Sequence, residues 1–230
     1  MDERLLADNI AKLLERVRLA AEKSQRAAGD IRVLAVSKTH PAEAIRAAHR
    51  HGLDHFGESY LQEALAKIAA LAELPVTWHF IGPIQSNKTR SIAEHFTWVH
   101  SVDRGRIAKR LSDQRPGDLP PLQVCLQVNI SGEQSKSGVD PQDLPRLAAE
   151  VLELPRLRLR GLMAIPAPSG DPARQRAAFS RLRGQLAQLG ALAPGLDTLS
   201  MGMSDDLEAA IAEGATIVRV GSGIFGSRNR

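Results

Sequence analysis

Apolar residues recur along this chain in two alternating rhythms. From Arg4 to Ala28 they fall at Leu6, Ile10, Leu13, Leu14, Val17 and Ala21, a spacing that lays one apolar stripe along a helix. Gly29-Asp30 is read as its stop. Ile31–Lys38 then runs short, apolar and rich in β-branched residues, as a strand buried on both faces does. Pro41 opens the next helix, with Thr39 or His40 before it as cap.

The same alternation continues to the end. Strands are predicted at His55–Glu58, Val76–Gly82, Thr97–Ser101, Leu122–Ile130, Leu157–Ile165, Thr198–Met201 and Ile217–Gly221. Helices are predicted at Leu61–Leu71, Asn87–His95, Arg104–Asp113, Gln142–Leu152, Pro172–Leu189 and Asp205–Glu213. Strands separated by helices imply a parallel sheet covered by helices. Eight such units predict an α/β fold, a single (β/α)8 TIM-type barrel over residues 1–230 with an extra N-terminal helix. A doubly wound open sheet is the alternative. It lacks support, because no GxGxxG follows the first strand, and the one match, Gly221–Gly226, has no room for a βαβ unit behind it.

Composition narrows the setting. The single cysteine, Cys125, forbids an intrachain disulfide and suits a reducing compartment. No stretch approaches the roughly 20 apolar residues of a membrane span, and no signal-type segment opens the chain. The expectation is a cytoplasmic protein without a membrane partner. Thirty basic residues against 26 acidic ones leave a net charge of +4. The basic residues are scattered, with no stripe, so nucleic acid is not expected as a partner.

In a parallel barrel the chemistry lies where strands end. Lys38 ends the first strand, sharing a face with Leu34 and Val36. A lysine in a barrel mouth is desolvated and nucleophilic; a lysine at a strand end also snorkels to solvent. Position alone leaves both readings open. At the other end, Arg219-Val220-Gly221-Ser222-Gly223 is a strand entering a glycine-rich turn. Phosphate sites recur after the last two barrel strands, and glycine lets backbone N–H groups approach an anion. Gly221 and Ser222, with Ser200 from the preceding strand, are read as phosphate donors, and Ser204 as a helix cap. A reactive lysine facing a phosphate cradle suits an imine-forming aldolase or a lysine that holds pyridoxal 5′-phosphate (PLP).

Particular motifs favour the second. Val36-Ser37-Lys38-Thr39, His55-Phe56-Gly57-Glu58, Trp78 to Lys88, Val128 to Ser131, Gly161-Leu162-Met163, Leu199 to Asp206 and Arg219-Val220-Gly221 follow in this order. In these runs the chain resembles the pyridoxal phosphate homeostasis proteins over essentially its whole length. The resemblance implies a barrel similar to the alanine racemase N-terminal domain, with PLP held as an imine on Lys38. It maps the phosphate site to Ser200 and to Gly221 with Ser222, and puts Arg219 at the pyridine nitrogen. It implies a role in vitamin B6 balance without established turnover, with apo forms of PLP-dependent enzymes as candidate recipients. Ser59 stands where that family usually has asparagine, so it is not assigned a cofactor contact.

The residues agree with a non-catalytic role. A racemase needs acid–base groups on both sides of the cofactor plane. In alanine racemases one is a tyrosine from a further domain of the partner subunit; this chain stops at Arg230, and that domain is expected to be absent, which favours a monomer. The sole tyrosine, Tyr60, is read as a packed amphipathic residue, and an arginine at the ring nitrogen weakens the electron sink. Cys125 is read as a small core residue and His79 as a satisfied buried histidine. His49, His51 and His55 share no ligand geometry, so no metal is expected. The polar loop Ser131–Gly138 resembles an active-site loop, with Lys136 solvated or open to an adventitious imine.

Overall fold

The computed structural model describes residues 2–131 and 137–226; the loop lysine Lys136 lies outside them. The fold is built from β1 (Arg32–Val36), β2 (His55–Glu58), β3 (Thr77–Phe80), β4 (Trp98–Val102), β5 (Leu122–Gln127), β6 (Leu157–Met163), β7 (Thr198–Ser200) and β8 (Ile217–Val220). These form one closed barrel in chain order. Every neighbouring pair is parallel, and β1 pairs with β8 through Arg32–Ile217 to Ala35–Val220. The expected eightfold α/β barrel is therefore the fold. Among the described residues no helix is long and apolar enough to cross a membrane.

The helices are α1 (Glu3–Lys23), α2 (Ala42–Arg50), α3 (Leu61–Ala70), α4 (Thr89–His95), α5 (Gly105–Gln114), α6 (Leu144–Leu152), α7 (Pro172–Leu189), α8 (Leu207–Ala212) and α9 (Ser222–Phe225). Alternation along each strand divides the apolar residues into two cores. Outward-facing Phe56, Trp78, Phe80 and Val99 join Phe96, Phe179 and the helix stripes in a large outer shell. Inward-facing Leu34, Trp98, Cys125, Met163 and Ile217 make a much smaller inner cluster. The rest of the barrel interior is polar, with His79, His100, Ser200 and Arg219 all buried.

Helix α1 is the extra element, and it packs across α8, α9 and α2. Its stripe buries Leu6, Ile10, Leu13, Val17, Ala20 and Ala21, whereas Leu14 stays 42% exposed. The helix also ends earlier than Ala28. Gln25 takes φ +55°, its N–H donates to Glu22 O, and Arg26 N–H reaches back to Ala21 O. These two bonds close a Schellman turn, a stop set by carbonyl capping without the glycine that usually signals it. The freed Arg26 guanidinium then donates to Ile211 O and Ala215 O beside α8. Strand β5 likewise ends at Gln127 rather than Ile130, because Val128 and Asn129 turn to meet Val139. Finally, the glycine-rich segment after β8 winds into α9 instead of remaining a plain turn.

Candidate functional site

Lys38 stands two residues beyond β1 and is half-buried at the C-terminal end of the barrel. Its turn is fixed from below by charge. Ser37 Oγ donates to Glu58 Oε1 at 2.6 Å. Lys67 Nζ from α3 donates to Ser37 O at 2.8 Å and to Glu58 Oε1 at 2.8 Å, and it also pairs with Glu63. Glu63 Oε1 in turn accepts the Thr39 N–H at 2.6 Å. Thr39 has φ +68°, a left-handed conformation that costs a non-glycine residue about 1–3 kcal/mol. The carboxylate acceptor holds that conformation, and the conformation turns the chain sharply after Lys38. Glu58 is fully buried, and its second oxygen, Oε2, has no hydrogen-bond partner among the described residues. Burial pushes its carboxyl up from the ordinary value, while Lys67 and Ser37 pull it back.

On the neighbouring strand, β8 presents Arg219 inside the barrel. One guanidinium nitrogen donates to Ser200 O at 2.5 Å and Ser200 Oγ at 2.8 Å, and the other to Ala164 O at 2.9 Å. Burial lowers its pKa to about 10, against an opposing pull from the Asp206 carboxylate. The guanidinium thus stays charged at neutral pH, clamped by neutral acceptors. Ser200 is fully buried, and its hydroxyl lies between Arg219 and His100 Nδ1, 2.8 Å away.

Above Arg219 lies the turn into α9. Ser204 Oγ is 3.2 Å from Ser222 Oγ and accepts the Gly223 N–H at 3.3 Å. Arg16 from α1 holds the Ser204 carbonyl at 3.0 Å. Two glycines keep this corner tight. Gly202 has φ +92°, and a Cβ there would lie 2.5 Å from the Ala210 Cβ; one on Gly223 would lie 2.9 Å from Val220 Cγ1 and 3.4 Å from Ser204 Oγ. Closure of the barrel joins this corner to the lysine turn. A Cβ on Gly221 would meet Val36 O at 3.3 Å, and Phe225 of α9 stacks on His40 with ring centroids 4.8 Å apart.

Lys38, Arg219, Gly221 and Ser222 therefore border one corner at the β1–β8 seam, with Ser200 below Arg219. Ser204 does not cap the helix that follows it, since α8 has Asp206 at its N-cap; its hydroxyl instead faces Ser222 and Gly223. Its place in Ser200-Met201-Gly202-Met203-Ser204 was the signal available for it. Glu58 is visible in its motif, but Lys67 and the pairing of the two escape the sequence reading because a buried ion pair has no local pattern. Tyr60 is 52% exposed and not packed, because its backbone precedes the first turn of α3 at the barrel rim. Cys125 is a fully buried core residue, as expected, and burial pushes its thiol up to about 12.

Comparison with known proteins gives the family of this barrel. The family model for the alanine racemase N-terminal domain matches residues 9–229. A pyridoxal phosphate homeostasis protein from Pseudomonas aeruginosa is 65% identical over 97% of this chain and 96% of its own. The protein of that name from Escherichia coli K12 is 54% identical, over 97% of each chain. The structure of PipY from Synechococcus elongatus PCC7942 with PLP bound superposes with a TM-score of 0.83 at 42% identity, covering 96% of this chain and all of that one. A strand-end lysine beside a buried arginine and a serine–glycine corner, in a barrel matched over almost its full length, marks the chain as a member of the pyridoxal phosphate homeostasis protein family.

Proposed function

We propose that this protein binds pyridoxal 5′-phosphate at the β1–β8 corner, holds it covalently through Lys38, and serves intracellular vitamin B6 homeostasis. The observation that carries the reading is the juxtaposition, across one barrel seam, of the Lys38 turn, the charged Arg219 and the Ser204–Ser222–Gly223 corner. The donor set fits the group. PLP brings an aldehyde, a pyridine nitrogen and a phosphate, and it supplies an electrophilic carbon and an electron sink when bound. The amine of Lys38 takes the aldehyde. Arg219, unable to accept a proton, donates to the ring nitrogen and keeps it unprotonated. The hydroxyls of Ser204 and Ser222, with backbone N–H groups around Gly221 and Gly223, meet the phosphate. Glycine leaves room for that approach, which a Cβ on Gly223 would fill. Ser200, first read as a phosphate donor, contributes from below by holding Arg219.

This arrangement suits a carrier better than a catalyst, because an arginine at the ring nitrogen drains little charge from a bound amine. The reading is of one cytoplasmic barrel domain over residues 1–230, acting as a monomer, with apo forms of PLP-dependent enzymes as recipients. The test is direct. Protein loaded with PLP is reduced with borohydride and digested; the label is expected on the Lys38 peptide and absent from Lys38→Ala. A label elsewhere, with Lys38 unmodified, overturns the assignment. Incubation of loaded protein with amino acids, followed by chiral analysis, is expected to show no turnover.

A further inference from the structure

Three histidines on three consecutive strands form a line through the barrel that the PLP corner does not explain. His55 Nδ1 lies 2.9 Å from His79 Nε2, and His79 Nδ1 lies 2.9 Å from His100 Nε2. His100 Nδ1 lies 2.8 Å from Ser200 Oγ, which accepts from Arg219. The line starts at β2, on the N-terminal face of the barrel, and ends under the cofactor corner on the opposite face. His79 and His100 are fully buried, and His79 stacks on Trp98 at 5.5 Å. His55 keeps 16% of its side chain exposed and borders a cavity of about 500 Å³, lined also by Asp30, Arg32, Asp54, Arg160 and Asp197.

The polarity of this line follows from its ends. A neutral imidazole carries one donor and one acceptor, and a guanidinium only donates. Ser200 Oγ accepts from Arg219, and its own buried proton needs an acceptor, for which His100 Nδ1 is in place. His100 Nε2–H then donates to His79 Nδ1, and His79 Nε2–H donates to His55 Nδ1. His55 Nε2–H is left to face Asp54 Oδ1, 3.7 Å away. The reverse polarity would aim the His55 Nε2 lone pair at that carboxylate and give Ser200 Oγ two donors.

We propose that His55, His79 and His100 form a one-directional hydrogen-bond relay that orients the Ser200 hydroxyl, and through it Arg219, and that couples the cofactor corner to protonation at the opposite face. Each bond polarises the next, so Ser200 is a stronger acceptor for Arg219 than an isolated hydroxyl. One proton taken up at His55 Nδ1 must turn every bond of the line around, because two donors would otherwise meet at His79 Nε2. Ser200 then loses its acceptor. The surrounding charges resist that proton. His55 faces Arg32 of β1 and Asp54 of the preceding turn, and across the cavity the Arg160–Asp197 pair and Asp30. His79 lies between the other two histidines with Arg32 nearby, and His100 faces Arg219 and Arg32. Burial first, and the Arg32 charge second, hold His55 down to about 4. The three histidines are positioning residues.

The relay is tested in the full chain labelled with 15N-histidine, by long-range proton–nitrogen correlation, which separates Nδ1–H from Nε2–H tautomers. Without PLP at neutral pH, all three should be neutral and Nε2-protonated; an Nδ1-protonated or mixed His79 overturns the proposal. Ser200→Ala should release the polarity and move the nitrogen shifts of His55, the farthest member, while Ser200→Thr restores them. An unmoved His55 in a folded Ser200→Ala protein also overturns it. Acid titration of the wild type needs no variant: a shared transition of the three supports the relay, and separate transitions refute it. These arms stand without the cofactor, so they fail independently of the PLP reading on which the functional meaning rests. In PLP-loaded protein the cofactor absorbance should follow the same transition. His79→Phe should abolish that dependence, and a wild-type band that does not move with the histidines removes the coupling to Arg219.

Discussion

Lys38 and Arg219 belong to neighbouring strands, β1 and β8, yet their surroundings differ in kind. Beneath Lys38 lies an ionic cluster in which Lys67 is shared by Glu58 and Glu63; Lys67 and Glu63 tie down the backbone of Ser37 and Thr39, and Glu58 holds the Ser37 hydroxyl. Beneath Arg219 the hydrogen-bond acceptors are neutral: two carbonyls and a serine hydroxyl backed by a line of uncharged histidines. Both halves need precise backbone placement, but they differ in what they must offer a ligand. In the proposed role the lysine reacts as an amine, and fixed charges hold the chain around it. In the proposed role the arginine presents its charge to an aromatic nitrogen. A carboxylate in direct contact would neutralise it, and neutral acceptors hold its geometry without doing so.

Removing the amine should give the largest effect: Lys38→Ala is expected to lose all borohydride-fixable cofactor while circular dichroism stays that of the folded barrel. Breaking the ionic half comes next. Glu58 is fully buried and Lys67 is 5% exposed, and losing one member of such a pair leaves the other uncompensated. Lys67→Met should cost about 3–5 kcal/mol of stability in a urea titration. Ser200→Ala, on the neutral half, should cost about 1–3 kcal/mol. Equal losses would dissolve the contrast between the halves.

Acid should attack the neutral half selectively. His79 and His100 are buried and their pKa values lie below the ordinary 6.5, that of His100 at about 3. The unfolded chain binds protons that the folded one refuses, so their stabilisation is complete above the unfolded pKa and is lost as pH falls. Between about pH 6 and 4 the pair should remove roughly 3 kcal/mol per pH unit, and His55, held down to about 4, adds roughly 1 in the same direction. The check is urea titration at several pH values, in which His79→Phe should keep about two thirds of the wild-type slope. A variant as steep as the wild type would mean that His79 is already charged when folded.

The smallest expected change probes the phosphate corner. Gly223→Ala adds a Cβ within 2.9 Å of Val220 Cγ1 and 3.4 Å of Ser204 Oγ. Losing one charge-assisted bond to the phosphate, about 1.5–3 kcal/mol, should weaken PLP about tenfold or more and leave pyridoxal nearly unaffected. Equal weakening of both ligands in a binding titration would give that glycine a purely structural role.

What the chain determines by itself is local. Hydrophobic spacing of 3.6 or 2 residues marks each helix and strand, since that period is how a single element buries one face. Their alternation implies the parallel barrel, and a lysine ending the first strand is visible as a candidate without any contact. The choices that build the site are not local. The Lys38 turn and residues 219 to 223 stand at one seam only because β1 and β8 close the barrel. The histidines at 55, 79 and 100 look like separate buried or surface residues until strand stagger brings their rings into line. Ser200 and Ser204 stand four residues apart, yet the fold sends one hydroxyl inward to Arg219 and His100 and the other toward α9. Glu58 and Lys67 meet across β2 and α3 in a pairing that hydrophobic periodicity does not encode. Side-chain parity can be read along one strand, but the level at which neighbouring strands stand against each other is set by closure and packing of the whole barrel.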